Sequence, residues 1–374
     1  MNIAICKENR VYYFDYLRVL ACISVIFMHT AADTSANTWW YYISTSLTFV
    51  AVPLFLMMSG YLILSSEKTL DINVLLKKRI PRLLIPLGVW TIIASIWLTW
   101  KESGWSMKVF IMKLNSAMKE PTLNHFWFMY TIIAIYLISP ILYGGVHMLS
   151  ENAEKYIIGL ILAVELYVAV LMVLPPNIAE ILEIDVVNKL LIFEGHLCTF
   201  ILGFFLGKMS KTISNKAMIS IMFALLLIIS IGTKYLSSIN GTLIQRMQDQ
   251  SRGLEIFFAA VVFLFFKRNF NKAGRKEFWR SLSTLSLPIY LMHNILRSIM
   301  NAFDVTAYDL KSVICLTMIN FFLCFLTVKT MASIKFCCFL FTGITYKKAC
   351  EVCNWLHIPR NLRIRSEGTE RHSA

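Results

Sequence analysis

The sequence predicts an all-α integral membrane protein, a bundle of about ten transmembrane helices with both termini on the cytoplasmic side. Three observations carry that expectation. Hydrophobic residues make up 57% of the 374 positions and charged residues 16%, with a mean hydropathy of +0.63, values that exclude an ordinary soluble domain. Apolar runs long enough to cross about 30 Å of hydrocarbon recur along the chain. The basic residues collect in the connections between runs, and their abundance alternates from one side to the other.

The first run, 14–32, lies within YFDYLRVLACISVIFMHTAAD, Tyr13 to Asp33. Asp15 and Arg18 stand at its head and no small-residue cleavage site follows, so it is expected to be a retained helix and not a signal peptide. Arg18 and His29 are eleven residues apart. On an α-helix that is three turns plus roughly 20° and about 16 Å of rise, so the two share one face. An arginine inside a membrane segment costs roughly 2.5–3.5 kcal/mol and normally faces protein or water, which makes this face a candidate functional wall. The competing reading has Arg18 as an interfacial anchor and His29 as a satisfied interior histidine. Asp15 offers Arg18 a carboxylate at i,i+3 spacing, and Asp33 offers His29 one at i,i+4.

The remaining runs are 45–64, 84–100, 126–146, 156–174, 193–207, 217–233, 253–266, 283–303 and 312–330, of which the sixth and eighth of the full set are short. Counting lysines and arginines in alternate connections gives 26 on the side of the termini and 9 on the other, with Arg297 inside a span. The outer connection 101–125 departs from the rule through Lys101, Lys108, Lys113 and Lys119, and is expected to hold a short interfacial helix. Residues 1–342 form the transmembrane domain, and 343–374 a basic cytoplasmic tail suited to the membrane surface. No linker rich in Gly, Pro or Ser sets off a further domain.

The formal charge of +14 is spread over these connections, so it points to topology and phosphate binding and not to nucleic acid. The nine cysteines lie mostly in spans or at cytoplasmic ends, which argues against a disulfide framework. Cys350, Cys353 and His357 supply three potential zinc ligands with no evident fourth, so no metal is expected.

Five stretches in order carry a resemblance. They are FDYLRVLACISVIFMHT with its Arg, ten residues, His spacing; VPLFLMMSGYLIL at 52–64; KKRIPRLLIP at 77–86; HFWFMYTIIAIYLISP at 125–140; and LSLPIYLMH at 285–293. Together they resemble the membrane acyltransferase-3 family. Their spacing is most similar to its stand-alone polysaccharide O-acetyltransferases, such as the one acting on enterobacterial common antigen. The resemblance implies a multi-pass protein of the bacterial cytoplasmic (inner) membrane. Its implied donor is cytoplasmic acetyl-CoA, and its implied acceptor is a hydroxyl of a cell-surface glycan or its lipid-linked precursor. Arg18 and His29 become the catalytic candidates, His29 as the base, since a histidine near its reference pKa of about 6.5 can take a hydroxyl proton.

Arg79 and Arg82, three apart beside Pro81, suit bidentate binding of the coenzyme A phosphates, with Arg18 as a further donor contact. The same charges also read as a topology anchor. His125, Trp127, Glu194 and His293 are supporting or acceptor-side candidates, and the outer surface is expected to gather His29, His125, Glu194 and His196. His293, just after Pro288, is expected mid-membrane and facing a cavity, with no partner assigned. The default role of Ser59-Gly60-Tyr61 is close helix packing. The competing function is transport of a lipid-linked or glycan intermediate, because intramembrane Arg and His also suit a permease.

Overall fold

In the computed structural model, residues 11–34, 38–184, 195–210, 213–271 and 277–353 are described. Among them every regular element is helical and no strand occurs. A chain this apolar has little choice, because hydrocarbon offers backbone groups no partner and a helix satisfies them within one segment.

The helices run α1 (Tyr13–Ala31), α2 (Trp39–Thr48), α3 (Ala51–Leu64), α4 (Ile80–Ser103), α5 (Met107–Ser116), α6 (Trp127–His147), α7 (Glu151–Val173), α8 (Pro176–Ile181), α9 (Gly195–Lys208) and α10 (Asn215–Asn240). They continue as α11 (Leu254–Phe270), α12 (Glu277–Thr284), α13 (Ser286–Ala302), α14 (Leu310–Ser333), α15 (Lys335–Thr342) and α16 (Tyr346–Cys353). Polar caps start several of them. Ser106, Ser150 and Ser214 accept backbone N–H groups at the heads of α5, α7 and α10. Asp309 and Ser312 close a reciprocal capping box at the head of α14.

Among the described residues seven helical stretches are long and apolar enough to cross a membrane: Tyr13–Ala31, Trp39–Leu64, Ile72–Ser103, Asn124–His147, Glu151–Val173, Asn215–Asn240 and Leu310–Ser333. The expected count of about ten is therefore not reached on length and composition. The other three runs became α9, α11 and α13, of 14, 17 and 17 residues. At 1.5 Å per residue they extend only about 21–26 Å, short of the hydrocarbon thickness. They are packed inside the protein, with Phe200, Phe204, Phe258, Phe263, Ile289 and Leu291 at most 2% exposed, so they need not match a bilayer. The connection after the second run is likewise more helical than expected. A π-helical turn, Leu75–Arg79, leads directly into α4.

The first helix is central, packing against α2, α3, α11, α12, α13 and α14. Lipid-facing helices lie outside it. Ile219, Phe223, Ile231, Ile314, Met318 and Phe322 expose apolar surface on α10 and α14. The closest packing joins α3 to α9. A Cβ on Gly60 would stand 1.7 Å from the Phe200 carbonyl oxygen, and one on Gly203 2.2 Å from the Met57 carbonyl oxygen. Gly203 and Gly207 form a small-residue stripe that lets two backbones approach where hydrophobic driving force is weak. The expected interfacial helix in 101–125 is α5, tied back to α4 by an ion pair from Lys113 to Glu102 at 2.8 Å.

Candidate functional site

Three helices converge on a histidine cluster. The last turn of α1 carries His29, the 3-10 turn before α6 carries His125, and α13 carries His293. Their ring centroids lie 5.8 Å (His29–His125), 5.3 Å (His29–His293) and 4.6 Å (His125–His293) apart. His125 and His293 are buried, whereas His29 is partly exposed. No group of three or more side chains positioned to hold a metal ion occurs among the described residues.

Neighbouring groups fix how two of the rings carry their protons. Arg297 Nε donates to Asn294 Oδ1 at 2.9 Å, which leaves the Asn294 amide nitrogen, 2.9 Å from His125 Nδ1, as the donor. A neutral His125 therefore keeps its proton on Nε2. His293 Nδ1 lies 2.6 Å from the Tyr290 carbonyl, which can only accept, so a neutral His293 has a bare Nε2 lone pair. Both Nε2 atoms are buried without a hydrogen-bond partner among the described residues. Tyr290 donates its hydroxyl to the His125 carbonyl, and Asn320 donates to the His293 carbonyl at 3.0 Å, so the cluster is braced from behind.

The rim is charged. Arg297 pairs with Asp33, and Asn301 donates to the other Asp33 oxygen at 3.1 Å. The carboxylate expected to serve His29 is thus engaged by α13, which places it across an interhelical contact instead of along α1.

A second polar centre lies at the other end of α1. Arg18, Arg79, Arg82 and Tyr136 line a cavity of about 330 Å³. Arg79 is held by Thr69 Oγ1 at 2.7 Å and Ser66 Oγ at 3.4 Å. Four of the expected residues therefore segregate into two places: Arg18, Arg79 and Arg82 at one end, His29 at the other. None of the three histidines lines the basic cavity, and between the two centres Cys22, Val25 and Ile26 of α1 are each at most 2% exposed. Cys22 and Val25 continue the Arg18–His29 face at helical spacing.

Trp127 stacks on His196 with centroids 5.0 Å apart and 28° between planes. Glu194 lies outside the described residues, as do His357 and the side chain of Cys353. Residues that sequence reasoning passed over are Asn294 and Asn320. Their signal was an uncharged amide within an apolar run, in Asn294 directly after His293.

The model of the acyltransferase domain family, of the acyltransferase-3 type, matches residues 11–334. The chain belongs to this family. No curated protein and no solved structure matches it. The three histidines and Arg18, Arg79, Arg82 and Tyr136 fall inside the acyltransferase match, whereas α15 and α16 lie beyond it. The protein is a multi-pass membrane acyltransferase. As acyltransferase chemistry the histidine cluster is competent: it offers a bare imidazole nitrogen as proton acceptor and an N–H as donor to a developing oxyanion.

Proposed function

We propose that the protein transfers an acetyl group from cytoplasmic acetyl-CoA to a hydroxyl of a cell-surface glycan, or its lipid-linked precursor, on the far side of a bacterial cytoplasmic membrane. The observation that carries this reading is the pair of polar centres at opposite ends of α1, an arginine cavity and a histidine cluster whose α1 members Arg18 and His29 are separated by about 16 Å of helical rise. Guanidinium groups suit the coenzyme A phosphates. The excess of lysine and arginine on that side of the chain supports a cytoplasmic orientation for it and for both termini. A carbohydrate acceptor follows the likeness to polysaccharide O-acetyltransferases.

In the proposed reaction His29, the least buried of the three rings, faces the acceptor and removes its hydroxyl proton. The acceptor oxygen forms a bond to the thioester carbonyl carbon while the carbonyl oxygen takes up negative charge. The Nε2–H of His125 is the nearby donor suited to that charge, and the His293 lone pair can orient the His29 ring. Collapse breaks the carbon–sulfur bond, and the coenzyme A thiolate recovers the proton from His29. The products are an acetyl ester and free coenzyme A. Arg18 contributes to the donor site, and Trp127 with His196 offers a stacking surface on the acceptor side.

A pantetheine arm running from the arginine cavity towards His29 passes Cys22 and Val25, which lie on the same face of α1. The test is ester formation from labelled acetyl-CoA in membranes containing the protein and lacking any ion gradient. Base-labile incorporation into a glycan supports transfer, whereas movement of glycan across the membrane without incorporation would support the transporter reading and remove this one.

A further inference from the structure

The basic cavity is completed by a segment outside the family match. Thr342, Gly343 and Ile344, the turn between α15 and α16, line it together with Lys348 of α16. The family match ends at residue 334.

The turn is built into place. Gly343 adopts φ +67°, and a Cβ there would stand 2.2 Å from the Arg82 carbonyl oxygen, so the backbone of the turn sits directly on the residue before Leu83 of α4. Thr342 donates its hydroxyl to the Cys338 carbonyl and accepts from the Ile344 N–H at 3.1 Å, while Cys338 Sγ donates to the Ile344 carbonyl at 3.1 Å. Trp90 of α4 donates to the Phe341 carbonyl at 3.0 Å and meets the Phe341 ring edge-on. Ala349, 2% exposed, anchors α16, which packs on α12 and α14.

Among the described residues the lining so assembled contains four cations, Arg18, Arg79, Arg82 and Lys348, and no acidic side chain. The three arginines are partly buried and Lys348 is exposed, so Lys348 stands at the mouth. A donor whose pantetheine arm points along α1 towards His29 must leave its adenosine end at that mouth.

We infer that Lys348, presented by the docked 342–344 turn, binds the ribose 3′-phosphate of coenzyme A. The inference rests on the donor reading of the cavity given above. It makes α15 and α16 part of the donor site, and it makes the 3′-phosphate a specificity element of this chain.

The test is direct titration of the purified full-length protein with coenzyme A and with dephospho-coenzyme A, which lacks only the 3′-phosphate. The unaltered protein should bind coenzyme A about three- to tenfold more tightly, the range of one charge-assisted contact at an exposed site. Lys348→Ala should erase that preference by weakening coenzyme A alone, and Lys348→Arg should retain it. An unchanged preference in Lys348→Ala, or no preference in the unaltered protein, overturns the inference. Arg79→Ala separates the two readings. If it weakens both ligands while Lys348→Ala changes nothing, the donor cavity stands and the role of Lys348 falls. If the unaltered protein and Arg79→Ala bind both ligands equally, or not at all, the donor reading and the inference fall together.

Discussion

The Asn294 amide nitrogen lies 2.9 Å from His125 Nδ1, joining α13 to the turn before α6 across 169 residues of sequence. This contact decides which nitrogen of His125 carries the proton, and it is itself oriented by Arg297. Asn294→Ala should therefore lower kcat about 10- to 100-fold with little change in KM, as expected for the loss of a group that orients catalytic machinery. Steady-state transfer kinetics in membranes with matched protein levels would check it. A rise in KM alone would mean that Asn294 only shapes the acceptor site.

His29→Ala should reduce turnover by about 10²–10⁴-fold, the usual cost of a lost general base, without lowering the amount of protein in the membrane. Adding His293→Ala to it should cost little more, because groups that act as one unit are not additive. Turnover within about tenfold of the unaltered protein would take the base role away from His29.

Arg18→Lys keeps the charge in the basic cavity and removes the planar fork. Donor affinity is expected to fall, and the loss to shrink as salt is raised. An Arg18→Lys protein with unaltered acetyl-CoA affinity and turnover would make Arg18 an anchor of α1 and nothing more.

Val25 is 2% exposed and lies between the two polar centres. Val25→Trp enlarges the stripe that the pantetheine arm has to pass, so transfer should be lost while binding of free coenzyme A at the basic cavity persists. Loss of both together would indicate misfolding, and a thermal melt of the same preparation distinguishes the two cases.

Gly60→Ala places a methyl group 1.7 Å from the Phe200 carbonyl oxygen, a backbone atom that cannot rotate away. Overpacking of this kind costs about 1–3 kcal/mol, occasionally more. A lowered melting temperature in detergent is the expected readout, with Gly88→Ala, where a Cβ meets nothing within 4 Å, as the control. Equal melting of the two variants would show that α3 and α9 can separate without penalty.

The class of the protein is readable in the chain, because long continuous apolar runs at a mean hydropathy of +0.63 satisfy their backbone groups in lipid as helices. The sequence by itself also determined the common face of Arg18 and His29, which follows from helical repeat alone, and the nearness of Arg79 to Arg82. These relations lie within single helices. Only tertiary structure decided that His293 meets His29 and His125, that Asp33 serves Arg297, and that the 342–348 segment closes the arginine cavity. Each is a contact between residues tens to hundreds of positions apart, and a hydrophobic pattern states which face of a helix is buried without stating against what. The span count shows the same division. Apolar runs at 193–207, 253–266 and 283–303 are legible in the chain, but whether such a helix crosses lipid or ends inside the bundle depends on the neighbours that shield it.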